Sequence, residues 1–261
     1  MKTIIIKNEK GGQGKSTVST HIAAGLALKG MRVLLIDGDV QAHSCYLLGV
    51  KKWGGLYRLL VQGEEWSKVL VEPQYENWGE TGRRSEAGRL LVLPGNHETA
   101  NIANSIGNVG ELRERLEEMG SYFDAVVIDT SPTPSLLHTV LDVAADYVIS
   151  PVVCAMLPIE GLYMSALHLY QHNKTRANYG ASEPLRMLGV VPMMYENTLV
   201  HREGKALIQK EMDAAMVWDP ISKRTIWCER EFHKKTLFAY APLHEVTAEA
   251  WRLVDRVAQY V

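Results

Sequence analysis

Residues 8–17, Asn-Glu-Lys-Gly-Gly-Gln-Gly-Lys-Ser-Thr, join an apolar run at 3–6 to a stretch whose apolar residues recur at helical spacing from about Lys15. Glycines at Gly11, Gly12 and Gly14 let backbone N–H groups turn inward around an anion, and the following helix offers the positive end of its dipole. A glycine-rich surface turn is the plain alternative. Strand, loop and helix nevertheless follow one another in the order that a phosphate cradle requires.

In such a cradle Gly11, Gly12, Gln13, Gly14, Lys15, Ser16 and Thr17 surround a nucleotide. Lys15 reaches toward the β- and γ-phosphates, and the Ser16 hydroxyl contributes to a Mg²⁺ site. The ordinary P-loop spacing asks for a glycine where this chain has Glu9. What fits is Lys-Gly-Gly-x-Gly-Lys-Ser, opened by a second lysine, Lys10. This resembles the deviant Walker A motif of the ParA/MinD family of P-loop ATPases, in which the extra lysine reaches across a dimer interface to the partner's nucleotide. The resemblance implies ATP and Mg²⁺ as ligands and catalytic roles for Lys10 and Lys15. It also implies an α/β fold with a doubly wound, mostly parallel sheet in three α/β/α layers, with residues 1–261 as one domain.

Further landmarks extend the resemblance over nearly the whole chain. Residues 15–29 place Val18, Ile22 and Leu26 on one helical face before Gly30, and 32–36 read as a buried strand. The strand ends in Asp37-Gly38-Asp39-Val40-Gln41, carboxylates where parallel sheets bind ligands. A polar turn capping the next helix is the other reading of Asp39. The segment looks like the family's Asp-x-Asp-Pro-Gln, with Val40 replacing proline, which implies that Asp39 positions the attacking water and Asp37 supports the magnesium side. Residues 123–128 form an apolar strand ending in Asp129, the position of a Walker B aspartate that holds Mg²⁺, and the prolines after it stiffen the loop. Strands are expected at 90–93, 144–151 and 188–192. Helices are expected at 56–60, 66–70, 110–119, 200–216 and 248–261, the last with Trp251, Val254, Val257 and Val261 on one face. Residues 73–89 read as an exposed loop. Glu160-Gly161-Leu162, opening a helix to about His172, matches a signature of ParA proteins.

Composition narrows the partners. Twenty-eight Lys and Arg against 30 Asp and Glu leave a net charge of −2, so any nucleic-acid contact must come from a local patch. The candidate set is Arg202, Lys205, Lys210, Lys223, Arg224, Arg230, Lys234 and Lys235, interleaved with acids so that a solvated face is the competing reading. Three scattered cysteines suggest neither a disulfide framework nor a zinc site, and a reducing cytoplasm suits them. The first strand begins too early to leave room for a secretory leader. The resemblance implies a homodimer in the ATP state, non-specific DNA binding with a nucleoid-associated location, and a ParB-like or cargo adaptor protein that stimulates hydrolysis. Cargo would be a plasmid, a chromosome or a protein body such as a carboxysome. A MinD-like ATPase that binds membrane through an amphipathic 248–261 is the alternative, although no membrane contact is expected. An iron–sulfur protein of the nitrogenase iron-protein type lacks its cysteine pair here, and a small-molecule synthetase of the dethiobiotin type is a further, weaker reading.

Overall fold

Six apolar runs become six strands in the computed structural model, which describes residues 1–80, 82, 84–154, 171, 173–179, 181 and 183–261. They are β1 (Lys2–Ile6), β2 (Arg32–Gly38), β3 (Arg89–Leu93), β4 (Ala125–Thr130), β5 (Tyr147–Val153) and β6 (Arg186–Met193), in the order β3-β2-β4-β1-β5-β6. Every neighbouring pair is parallel. Alternate residues feed two separate cores. Ile4, Ile6, Val33, Leu35 and Val127 enter one, while Ile5, Leu34, Ile36, Val126 and Ile128 enter the other. Unbroken apolar runs therefore mark strands covered on both faces.

The covering helices are α1 (Lys15–Leu28), α2 (His43–Leu47), α3 (Gly55–Val61), α4 (Trp66–Val69), α5 (Tyr75–Trp78), α6 (Thr99–Ser105), α7 (Glu111–Glu118), α8 (Leu136–Ala144), α9 (Leu199–Glu211), α10 (Ile226–Phe232), α11 (Leu237–Tyr240) and α12 (Glu245–Val257). Helices α1 and α12 lie over the first core, and α3, α4, α6, α7 and α8 over the second. Thus the three-layer, doubly wound α/β architecture is as expected, with a main sheet that is parallel throughout. Close approach of α1 to α12 depends on Gly25, where an added Cβ would lie 2.3 Å from Val254 Cγ2.

Several expected elements are corrected. Residues 73–89 are not simply an exposed loop, because Tyr75 and Trp78 of α5 are buried, with ring centroids 4.8 Å apart. Thr236 fastens them from above, its N–H donating to Asn77 O and its hydroxyl to Trp78 O. The helix expected over 200–216 ends at Glu211, since Met212 turns extended (φ −121°, ψ 165°) and a separate turn of 3-10 helix follows at Ala214–Met216. The closing helix starts at Glu245, where the His244 ring accepts the Val246 N–H. The helix expected from Glu160-Gly161-Leu162 lies outside the described residues.

His21 links α1 to the C-terminal segment. It is 1% exposed, and the Leu237 N–H donates to its Nε2 at 3.0 Å. Nε2 is therefore bare, and Nδ1 carries the hydrogen that reaches Thr17 O at 2.7 Å. Burial, assisted by the Arg230 charge, pushes the imidazole from 6.5 down to about 3, while the Thr17 carbonyl acts the other way. Between those values the unfolded chain binds more protons, so this stabilisation is present above about pH 6.5 and is lost as pH falls, by up to about 1.4 kcal/mol per pH unit. The gap in unfolding free energy between the wild type and His21→Gln should therefore narrow by about 1 kcal/mol from pH 7.5 to pH 5.5. Denaturant titrations without nucleotide at both pH values check it, and a constant gap would remove His21 from the acid response.

Candidate nucleotide site

Gly12 and Gly14 adopt left-handed φ of 72° and 84°, conformations that glycine accepts without strain. Gly14 caps α1, whose first backbone bond runs from Val18 N–H to Gly14 O at 2.9 Å. The N–H groups of Lys15, Ser16 and Thr17 consequently have no carbonyl of their own helix to meet. The loop is pinned on the sheet side, where the Val153 N–H donates to Gln13 Oε1 at 2.8 Å and Asn8 Nδ2 donates to Pro151 O at 2.8 Å. These contacts hold an open cleft of about 560 Å³, lined by Gly11, Gly12, Gln13, Gly14, Lys15, Ser16, Thr17 and Asp39. Gln41, His43, Tyr46, Leu47, Pro132, Met194 and Glu231 complete it, and sequence reasoning had not singled them out as a lining.

The two lysines of the loop behave differently. Lys15 is 6% exposed and its ammonium donates to Lys10 O at 3.3 Å. Burial pushes its pKa down, against the nearby charges of Asp129 and Asp39. Lys10 is exposed, and its backbone is held by the Lys15 ammonium on its carbonyl and by its own N–H donating to Asn8 Oδ1 at 2.9 Å. One cation faces the protomer's own cleft while the other stands outside it.

Parallel register sets Asp129 beside Asp37 on β2 and beside Ile6 on β1. Both carboxylates are fully buried. Asp129 accepts from Ser44 Oγ at 2.7 Å, Ser19 Oγ at 3.2 Å and its neighbour Thr130 N–H. Burial pushes its pKa up, while hydrogen bonding from the Ser16 and Ser44 hydroxyls opposes the rise. Asp37 is pushed up to about 7 by burial and by the Asp129 charge, although the N–H groups of Cys45 and Asp39 bond to it. Asp39 accepts the Gln41 N–H at 2.9 Å, so it forms the polar turn and also lines the cleft. Among the described residues no cluster of three or more His, Cys, Asp or Glu side chains could enclose a metal. One hydroxyl, Ser16, against one carboxylate, Asp129, instead suits a Mg²⁺ ion that takes its other ligands from phosphate and water.

The structure divides the basic residues considered for DNA. Arg230 is fully buried behind the cradle, with Nη2 donating to Thr17 Oγ1 at 2.9 Å, so it leaves the surface set. Its isolation from water is decided by packing against α1 and by the Trp227 ring 5.5 Å away. Lys205 and Lys223 gather at Tyr195, the Lys205 ammonium over its ring and the Lys223 backbone N–H bonded to its carbonyl, with exposed Arg202 and Lys210 on α9. Lys223 pairs with Glu196 and Arg224 with Glu245. Lys234 lies elsewhere, 5.3 Å over the cleft residue Tyr46, and Lys235 is half-buried. All three cysteines are free, with Cys45 and Cys154 buried and Cys228 exposed.

Comparison with known proteins agrees with this geometry. A family model described as an AAA domain matches residues 1–178. The Chromosome-partitioning ATPase Soj of Thermus thermophilus is 30% identical over 259 residues, covering 98% of this chain and 95% of that protein. Among solved structures, a putative plasmid partition protein of Borrelia burgdorferi bound to AMPPNP is similar with a TM-score of 0.78 at 21% identity, covering 100% of this chain and 99% of that one. Cobyrinic acid a,c-diamide synthase of Mycobacterium smegmatis, with an ATP analogue and magnesium, reaches 0.79 at 22% identity, covering 100% and 95%. At those identities the structural likenesses speak for the fold alone. With the family model over residues 1–178, the full-length relative and a cradle opened by Lys10, the chain belongs to the ParA/MinD family of P-loop ATPases.

Proposed function

We propose that this chain is a ParA-type positioning ATPase that closes as a homodimer around ATP, binds DNA without sequence preference and releases its cargo when an adaptor protein stimulates hydrolysis. The observation that carries the reading is the division of labour between Lys15, buried in its own cleft, and Lys10, exposed beside it. A lysine that is absent from its own site and adjacent to it is placed to serve a second copy's phosphates. Charges brought together where water is scarce interact far more strongly than on a surface, so nucleotide would hold the pair together.

Within each protomer the free N–H groups at the start of α1 and the Lys15 ammonium bind the phosphates. Ser16 and Asp129 would hold a Mg²⁺ ion, which would supply neutralisation of phosphate charge. Asp39 orients water toward the reacting phosphate, and Asp37 fixes the backbone of Asp39 and Cys45 so that this carboxylate stays in place. The exposed cations Arg202, Lys210, Lys223 and Arg224 and the half-buried Lys205 lie on α9 and near Tyr195, and Lys234 and Lys235 follow α10. Two copies of so modest a patch on one rigid dimer gain through effective concentration. The membrane alternative is less well supported. Val246, Ala250, Leu253, Val254 and Val257 of α12 are buried in the protein, so its apolar face is already covered. Among the described residues, no helix is long and apolar enough to cross a membrane.

Lys10→Ala should abolish ATP-dependent dimerisation, measured by light scattering, while ADP binding to the single protomer persists. A variant that dimerises normally would sink the reading. Asp39→Ala should hold the ATP dimer on DNA with turnover reduced by about a hundredfold or more, the usual effect of losing a group that positions or activates the nucleophile. Undiminished turnover would remove Asp39 from the mechanism. Binding to random-sequence duplex DNA should require ATP rather than ADP and fall steeply between 50 and 200 mM salt. If ATP drives dimerisation without DNA binding at either salt, the DNA part fails and a membrane or protein surface becomes the partner to test.

A further inference from the structure

Arg230 is a cation that its packing against α1 and the Trp227 ring shuts away from water while leaving part of its hydrogen-bonding capacity unmet. Its guanidinium is fully buried, with Nη2 donating to Thr17 Oγ1 at 2.9 Å and to Glu231 Oε1 at 3.1 Å. Nε and Nη1 are buried without a hydrogen-bond partner. Unmet N–H groups on a buried cation are unfavourable, and an apolar side chain would fill the space beside Trp227 without that penalty. The contacts that a leucine or methionine could not make are those to Glu231, its neighbour in sequence, and to Thr17 of the cradle.

We infer that Arg230 is a positioning residue for the nucleotide, acting through Thr17, whose hydroxyl it holds as a hydrogen-bond donor into the cleft. The inference rests on the nucleotide reading of the site. A threonine hydroxyl has one hydrogen and two lone pairs, and a guanidinium can only donate. With Arg230 taking a lone pair, the Thr17 hydrogen must go elsewhere. No protein acceptor takes it among the described residues, and Thr17 lines the cleft. An acceptor-rich anion in the cradle, the phosphate chain of a nucleoside di- or triphosphate, is the matching ligand. His21 grips the Thr17 carbonyl from the same side, so the residue is fixed through both backbone and side chain. Glu231 joins the arrangement to the cleft wall, since it pairs with Arg230 and lines the opening.

The test is calorimetric binding of ADP and of ATPγS, each with Mg²⁺, to the wild type, Thr17→Val, Thr17→Ser, Arg230→Gln, Arg230→Lys and the Thr17→Val/Arg230→Gln pair, alongside melting without nucleotide. Thr17→Val and Arg230→Gln should each weaken both nucleotides by about tenfold or more, the scale of one hydrogen bond to a charged group. The double variant should be within about twofold of the weaker single, since both remove the same interaction. Thr17→Ser and Arg230→Lys, which keep the hydroxyl and a donor, should recover most of the affinity. A purely structural Arg230 would lower the nucleotide-free melting point and leave affinity unchanged, or its effect would multiply with that of Thr17→Val, and either result overturns the proposal. If Arg230→Gln does not fold, wild-type affinity in Thr17→Val or loss of affinity in Arg230→Lys overturns it equally. A wild type that binds neither nucleotide would instead overturn the reading of the cleft itself.

Discussion

Two carboxylates lying side by side at the ends of adjacent parallel strands are the constraint around which the molecule is arranged. Asp37 and Asp129 lie side by side in register, away from water, where burial disfavours the charge on both and the Asp129 charge makes Asp37 harder still to ionise. Backbone N–H groups of Cys45 and Asp39, hydroxyls of Ser16, Ser19 and Ser44, and the buried Lys15 charge are all placed to answer that potential. The serines come from α1 and α2, so both helices must start where they do. An all-parallel sheet collects these ends on one edge, and the glycines let the chain turn back over them.

The sequence made this edge legible because its components are local. An apolar strand, a glycine loop and a helix are contiguous, and Asp37 and Asp129 each terminate a run of buried aliphatic residues. Ser19 could also have been read, since it follows Lys15 by four positions and so shares its helical face. What was hidden depends on distant partners. Arg230 sits between two glutamates, a pattern that reads as solvated charge, and its burial is decided by Thr17, 213 positions away. Ser44 meets Asp129 across 85 positions. Tyr75 and Trp78 are flanked by polar residues and glycine, which conceal that α11 closes over them.

The C-terminal segment therefore does more than cover one face. Through His21 and Arg230 it fixes the first turn of α1 from behind, and through Thr236 it is itself fixed to α5. A cradle held in this way has little freedom left to lose when a phosphate arrives, which favours binding by a single protomer. Lys10 shows the opposite design. Its backbone is tied by Asn8 while its side chain is exposed, so its position is set only when something outside the protomer meets it.

On the proposed reading, these two conditions separate two properties that many enzymes combine. Affinity for nucleotide resides in the rigid half of the site, built from α1, α10 and α11. In that proposal the charge needed to reach the transition state is completed by the exposed Lys10 of a second copy. A chain built this way can hold ATP for long periods as one protomer without hydrolysing it, because the ground state is bound by groups already in place while the extra stabilisation of the transition state is still missing. Slow turnover is then a consequence of where Lys10 stands, and any partner that hastens hydrolysis must act on the seam between copies rather than on the cradle.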